Sequence, residues 1–147
     1  MGDSQRNAQL NRPIKRVAAV TGTRAEYGLL YPVLTAIEAS PHLGLSLVVS
    51  GMHLSHDFGY TIQEIVDDGF SIDAKVDMLA ASDTLASMAE SVGVGIKGMA
   101  QAWRRLKPDM LLVLGDRVEP LAATIAAAYM NIPVAHIHGG DRSEGGL

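Results

Sequence analysis

Five short runs typical of strands, separated by helical segments, restrict this chain to a small set of folds. The strand-like runs lie at residues 16–21, 45–51, 71–76, 110–116 and 132–138. Residues typical of helices fill the segments 27–40, 61–70, 82–109 and 119–131. Apolar strands separated by helices predict a parallel sheet covered on both faces, with right-handed crossovers. We therefore predict an α/β fold with a Rossmann-like, doubly wound parallel sheet of strand order 3-2-1-4-5.

Two of the helical segments carry local signals that define their ends. Thr61 is followed three residues later by Glu64, a capping-box pattern that predicts a helix start at Thr61. Pro108 ends the long segment 82–109, in which Leu85 and Trp103 share one apolar face. The glycines at positions 93, 95 and 98 weaken the prediction of a helix in this segment.

Composition and charge exclude several classes of protein. The 147 residues fit one domain, which we place at residues 16–147 after a flexible lead-in at residues 1–15. With 12 basic and 16 acidic residues, the chain lacks the positive charge expected of a protein that binds nucleic acid or an anionic membrane. The absence of cysteine excludes disulfides and thiolate chemistry, and no apolar run reaches the ~18 residues of a membrane span. We therefore expect a cytoplasmic protein.

Charged residues follow the first, fourth and fifth predicted strands. The carboxyl ends of parallel strands meet at one edge of the sheet, and ligands bind there where the winding reverses. We expect one crevice to be lined by Arg24, Asp116, Arg117, Glu119, His138, Asp141, Arg142 and Glu144. Because Arg24 precedes a helix that begins near Tyr27, its guanidinium and the free N–H groups of the helix can bind a phosphate together. The alternative for Arg24 is a surface ion pair with Glu26.

Asp116 is a candidate general acid or base. It directly follows the apolar run LLVLG, where partial desolvation would suit its carboxyl group to proton transfer. The alternative is that its carboxylate caps the next helix. For Arg117 and Glu119 we favour a solvated ion pair, or a bracing role behind the residues that meet substrate, over direct chemistry.

The chain also holds two closely spaced pairs of histidines. His136 and His138 alternate along the fifth strand, so we expect both on one face. His136 is expected to be the more buried, hydrogen-bonded structural residue, whereas His138, beside two glycines, is expected to meet a ligand. The string HLSHD at residues 53–57 can hold a metal, but no helical frame or third ligand accompanies it. Hydrogen bonding within a loop is favoured there, and no metal site is predicted.

The glycines spell neither G-x-G-x-x-G nor a Walker A loop, which disfavours NAD binding and ATP hydrolysis.

The order of several motifs resembles that of a known enzyme family. Over residues 16–147 the chain carries, in order, GTRAEYGLLYPVL, SGMHLSHDFGYTIQEI, DDGF and LGDRVEPLAATIAAAYMNIPVAHIHGGDRSEGG. Together these strings resemble the N-terminal domain of the hydrolysing UDP-N-acetylglucosamine 2-epimerases of sialic and legionaminic acid biosynthesis.

This resemblance implies a fold and a reaction. The fold is one half of a GT-B architecture, in which two Rossmann-like domains face each other across a cleft for the nucleotide sugar. The reaction is an anti elimination of UDP from UDP-N-acetylglucosamine with loss of the C2 proton, followed by hydration of the 2-acetamidoglucal to N-acetylmannosamine. No metal or nicotinamide cofactor is implied, and the parent enzymes are expected to be homodimers. The sugar can be N-acetylglucosamine or a diacetylated bacillosamine type, and the nucleotide UDP or GDP.

The resemblance also implies roles for individual residues. Arg24 matches the arginine of the family's first loop, a phosphate or sugar contact, and Asp116 matches the aspartate of its GD motif, an acid/base group. His138 stands where several relatives have glutamate, and a histidine can still transfer protons near neutral pH. Of the remaining acids in that loop, Glu144 is a better candidate for proton transfer than Asp141. The expected substrate contacts are Arg24, Arg117, Asp141 and Arg142.

The resemblance extends to only the first of the family's two domains. We therefore expect the C-terminal nucleotide-binding domain to be absent from this chain, and the isolated chain to be inactive. Two other interpretations stay open: an acceptor-side domain of a GT-B glycosyltransferase, against which the HIHGGD string argues, and a non-catalytic dimerisation fragment. Turnover of UDP-N-acetylglucosamine separates the epimerase interpretation from the glycosyltransferase interpretation. Self-association without ligand binding would favour the dimerisation fragment.

Overall fold

The computed structural model describes residues 13–78 and 84–140, and its strands lie in one parallel sheet. The strands are β1 (Lys15–Thr21), β2 (Leu43–Ser50), β3 (Ile72–Val76), β4 (Met110–Leu114) and β5 (Val134–Ile137). Their order is β3-β2-β1-β4-β5, and every neighbouring pair is parallel. The predicted doubly wound topology is confirmed, with the winding reversing between β1 and β4.

Helices connect the strands on both faces of the sheet. Within the described residues they are α1 (Arg24–Glu38), α2 (Ile62–Asp67), α3 (Leu85–Leu106) and α4 (Val118–Tyr129). Two short 3₁₀ helices, Gly51–Leu54 and His56–Phe58, follow β2. No helix in this part of the chain is long and apolar enough to cross a membrane.

Helix α1 starts earlier than predicted, whereas α2 starts after Thr61 as predicted but without the predicted capping box. Helix α1 begins earlier than predicted, at Arg24, because the hydroxyl of Thr23 caps it by accepting the N–H of Glu26 at 3.3 Å. The capping box predicted at Thr61 is wrong. The Thr61 side chain makes no cap hydrogen bond, and its hydroxyl oxygen lies 2.7 Å from Nδ1 of His53 instead. A tertiary contact thus replaces the local one.

The sheet is buried on both faces, as a parallel sheet with helical crossovers requires. Alternate residues of β1 enter opposite hydrophobic clusters: Val17 and Ala19 join one, and Ala18 and Val20 join the other. The first cluster includes residues of α1 and α2, and the second includes residues of α3 and α4. Because both faces are filled by apolar side chains, polar chemistry is left to the ends of the strands.

Helix α3 forms despite its glycines, two of which lie at close contacts. A Cβ at Gly95 would come within 2.6 Å of Met78 Cε, and one at Gly98 would meet Val76. These glycines therefore allow the helix to approach its neighbours closely. Trp103 is buried as predicted, whereas Leu85, predicted on the same apolar face, is 92% exposed at the first turn.

Candidate active site

The residues predicted to converge do follow strands that end at one edge of the sheet. Arg24 opens α1 after β1, Asp116 lies in the turn after β4, and His138 directly follows β5. Strands β1, β4 and β5 are neighbours and parallel. The predicted placement of these three residues at the carboxyl edge is confirmed, and two of them flank the point where the winding reverses.

Asp116 is exposed at this edge, which corrects one expectation from the sequence. The partial burial expected for it is absent, because the chain turns outward at Gly115, whose φ is +77°. The N-cap residue of α4 is Arg117, one position after Asp116. Asp116 therefore lies at the surface of the carboxyl edge.

Two other acids at this edge are buried, and we call them the acid pair: Glu26 and Glu119. Their residues are 7% and 0% exposed. Nε of Arg117 lies 3.5 Å from Oε2 of Glu119 and 3.9 Å from Oε1 of Glu26. The prediction that Arg117 and Glu119 form a solvated ion pair is therefore wrong for Glu119, although 45% of the Arg117 side chain is exposed.

The space for Glu119 comes from two glycines. A Cβ at Gly22 would lie 2.6 Å from Cδ of Glu119, and a Cβ at Gly51 would lie 2.9 Å from the same atom. The N–H of Gly22 donates to Oε2 of Glu26 at 3.1 Å. Because these residues come from the loops after β1, β2 and β4, the acid pair lies beneath the reversal point of the sheet.

Burial dominates the electrostatics of Glu26. Desolvation raises the pKa of Glu26 above the usual carboxyl value, opposed by the Gly22 N–H, and Glu119 raises it further while Arg117 lowers it. Oε1 of Glu26 and both carboxylate oxygens of Glu119 accept no hydrogen bond from the described residues. For Glu26, burial with so few donors favours the protonated form.

Arg24 forms an ion pair, but with a different acid from the one considered in the sequence. Its Nε donates to Oε2 of Glu64 on α2 at 2.9 Å, and 74% of its side chain is exposed. Glu26 instead turns inward. Arg24 thus lies at the N-terminus of α1 with its guanidinium at the surface, where an anion can compete with Glu64.

The histidines of the HLSHD string do not converge. His53 is buried, with Nε2 3.0 Å from the Thr21 hydroxyl and Nδ1 2.7 Å from the Thr61 hydroxyl, whereas His56 stacks on Tyr60. Burial lowers the pKa of His53, which favours the neutral imidazole. Among the described residues, no group of three or more histidine and acidic side chains could hold a metal ion.

The second pair of histidines also differs from the sequence prediction. Nε2 of His136 donates to the carbonyl of Gly115 at 2.6 Å, which confirms its hydrogen-bonded role, but the residue is exposed rather than buried. Strand β5 ends at Ile137, and His138 takes a left-handed backbone with φ +62°. Strand alternation therefore does not extend to His138. Asp141, Arg142 and Glu144 lie outside the described residues.

Comparison with known proteins identifies the family. A family model described as UDP-N-acetylglucosamine 2-epimerase matches residues 35–145. The chain belongs to this family. It is 45% identical to a hydrolysing UDP-N,N'-diacetylbacillosamine 2-epimerase of Legionella pneumophila, over 88% of the chain and 34% of the relative. It is 35% identical to a GDP/UDP-N,N'-diacetylbacillosamine 2-epimerase (hydrolysing) of Campylobacter jejuni, over 90% of the chain and 34% of the relative.

Solved structures agree with the family membership. The crystal structure of the Neisseria meningitidis UDP-GlcNAc 2-epimerase, bound to UDP-GlcNAc, matches with a TM-score of 0.74 and 25% identity, over 88% of this chain and 34% of that one. Another UDP-N-acetylglucosamine 2-epimerase structure has a TM-score of 0.76 at 24% identity, over 88% of this chain and 35% of that one. The fold is thus Rossmann-like, as in one half of the GT-B-type fold of these epimerases. The chain spans about a third of the length of the curated relatives it matches.

For this epimerase-family domain, sequence reasoning missed three buried polar residues at the carboxyl edge. From the sequence, Glu26 is expected only as a partner for Arg24, Glu119 as a crevice residue in a solvated or bracing role, and His53 only as a loop or metal residue. No local pattern marks their burial. The available signal was the pair of glycines that end β1 and β2, Gly22 and Gly51, whose missing side chains make the space for Glu119.

Proposed function

We propose that the complete protein containing this chain is a hydrolysing UDP-N-acetylglucosamine 2-epimerase, or acts on the diacetylated bacillosamine analogue of that substrate. The C2 proton is abstracted and the C1–O bond to UDP breaks, which gives the 2-acetamidoglucal. Water then adds its oxygen to C1 and a proton returns to C2 on the opposite face, giving the free 2-epimer. The observation that carries the proposal is the convergence of Arg24 and Asp116 on the two sides of the reversal point, in a member of this family.

The proposed roles follow from what each side chain presents at the edge. Arg24 and the first N–H groups of α1 bind the diphosphate, because guanidinium and helix N-terminus both favour anions. Asp116, exposed beside them, transfers a proton at the sugar. His138 and Glu144 are the further proton-transfer candidates. The proposed substrate contacts in addition to Arg24 are Arg117, Asp141 and Arg142.

We also propose the location, the biosynthetic pathway and the oligomeric state of the enzyme. We place it in the cytoplasm, in the biosynthesis of a sialic or legionaminic type of sugar, as a homodimer that works without a bound metal or nicotinamide. The absence of cysteine and of a long apolar run supports the location. The likeness to the Legionella pneumophila relative supports the hydrolysing reaction and the sugar class.

Isotope incorporation tests the reaction. Incubating the complete protein with UDP-N-acetylglucosamine or its diacetylated analogue in D₂O should give free UDP and a 2-epimeric sugar with deuterium at C2. In ¹⁸O-labelled water the label should enter C1, because the C–O bond to UDP breaks. The 147-residue chain alone serves as a control and should be inactive. Retention of UDP on the epimerised sugar would contradict hydrolysis, and no turnover of either substrate would contradict the proposal.

Removing the acid that pairs with Arg24 should tighten nucleotide binding. We expect Glu64→Gln in the complete protein to bind UDP up to about fivefold more tightly, because breaking an exposed ion pair costs at most about 1 kcal/mol and Arg24 becomes available to phosphate. Isothermal titration calorimetry with UDP measures the change. Glu38→Gln, at an exposed position in the last turn of α1, is the matched control for loss of one negative charge.

A double-mutant cycle separates this effect from general electrostatics. In an Arg24→Ala background, Glu64→Gln should leave UDP affinity unchanged, because the cation that it releases is no longer present. An equal gain in affinity in both backgrounds would contradict the competition between Glu64 and phosphate for Arg24.

A further inference from the structure

The acid pair carries more potential negative charge than the described residues around it neutralise. Glu26 and Glu119 are both buried, yet among residues 13–78 and 84–140 the single cation in contact with them is Arg117. Three of their four carboxylate oxygens accept no hydrogen bond within the described part of the chain. Burying two ionised carboxylates against one guanidinium would leave one charge uncompensated, which is costly in a desolvated site.

The other charged groups nearby do not supply this compensation. On α1, Arg24 is directed to Glu64. After β2, His53 is held between the hydroxyls of Thr21 and Thr61, in a setting that favours its neutral form. After β4, Asp116 is exposed and would add negative charge. Of the residues that the structure describes, Arg117 therefore supplies one compensating charge, and a proton on the pair would supply the rest.

We propose that the acid pair positions Arg117 at the carboxyl edge and shares one retained proton, so that one negative charge faces the guanidinium. Arg117 is held at its Nε by the two acids, and its Nη2 lies 3.4 Å from Sδ of Met52. A guanidinium has five N–H donors, so donors remain for a ligand, and nearly half of the side chain is exposed. The ligand of Arg117 in this inference is the nucleotide sugar of the proposed function.

A retained proton on the acid pair predicts the direction in which stability changes with pH. The pKa of Glu26 is raised in the folded state, so its contribution to stability is fully present below the ordinary carboxyl pKa and is lost as pH rises through the raised value. Glutamine keeps the shape of the side chain but cannot ionise. The difference in melting temperature, Glu26→Gln minus wild type, should therefore grow as pH rises above the ordinary carboxyl pKa.

The first experiment measures melting temperature against pH in the complete protein. Glu38→Gln, the same chemical change on the exposed face of α1, is the control and should show a difference that is flat with pH. A Glu26→Gln variant that loses stability relative to wild type as pH rises would show that the ionised carboxylate is the form the fold needs. That result, or a difference as flat as the control's, overturns the proton on the pair.

The second experiment uses kinetics, and it tests the positioning of Arg117. If one member of the pair is already neutral, Glu26→Gln alone and Glu119→Gln alone should each leave KM for the nucleotide sugar within about threefold of wild type. The double variant removes the last charge opposite Arg117, so its KM should rise by about tenfold or more, with kcat less affected. A single variant as impaired as the double variant overturns the shared proton. A double variant with wild-type KM overturns the positioning role.

The two experiments also separate this inference from the proposed function. Melting temperatures can be read whether or not the protein turns over a nucleotide sugar. Suppose that wild type shows no epimerase activity, but the melting temperature of Glu26→Gln still rises relative to wild type as pH increases. The proposed function then fails and the protonated acid pair stands. If turnover is normal and the stability difference is flat, the proposed function stands and the protonated pair fails.

Discussion

Asp116→Asn in the complete enzyme should lower kcat by at least about 10²-fold and leave UDP affinity close to that of wild type. Proton transfer by a positioned side chain is typically worth about 10² to 10⁴ in rate, and asparagine cannot supply it. Arg24 and the N-terminus of α1 are proposed to bind the diphosphate. A carboxylate can only weaken the binding of that anion. Stability should change little, because Asp116 is exposed and asparagine keeps the size of the side chain and an acceptor oxygen.

Three measurements decide this prediction: kcat from UDP release, UDP affinity by calorimetry, and the melting temperature. Asp67→Asn makes the same change at an exposed residue of α2, whose carboxylate accepts a hydrogen bond from Gln63. That control should keep wild-type turnover. A near-normal kcat for Asp116→Asn would remove Asp116 from the chemistry. A loss of UDP affinity as large as the loss of kcat would instead assign it to binding.

The topology could be predicted from the sequence because its determinants are local. Each strand is a short run between turns, and the helices between them force parallel pairing with crossovers of one hand. The alternation of β1 residues between the two clusters shows why such a run needs no polar face. Once the strand order is known, the ends of β1, β4 and β5 necessarily meet at one edge, which is why Arg24, Asp116 and His138 could be placed there.

The interior of the site could not be predicted, because its determinants are separated along the chain. Glu119 is buried since Gly22 and Gly51, in two other loops, have no side chains where its carboxyl group lies. Thr61 matched a helix-cap pattern, yet its hydroxyl contacts His53. In each case a tertiary partner decided the position of a polar group, and no period or spacing in the sequence records which loops will face each other.

Gly51→Ala should be the most destabilising single-methyl change at this edge, lowering the free energy of unfolding by about 2–5 kcal/mol. Two costs add. Gly51 has φ +58°, which an alanine adopts only with strain, and its new Cβ would overlap Oε1 of Glu119. Glu119 is fully buried and cannot swing into solvent to make room. Urea denaturation monitored by circular dichroism measures the loss.

Two variants separate the backbone strain from the overlap. Gly59 also has a positive φ, +85°, but a Cβ there would meet nothing within 4 Å, so Gly59→Ala should cost only the strain, about 1–2 kcal/mol. In a Glu119→Ala background the overlap at Gly51 is removed, and Gly51→Ala should then cost about as much as Gly59→Ala does. Equal losses for Gly51→Ala and Gly59→Ala in the wild-type background would mean that Glu119 yields freely. The glycine after β2 would then be required by its backbone alone, and not by the buried acid beneath it.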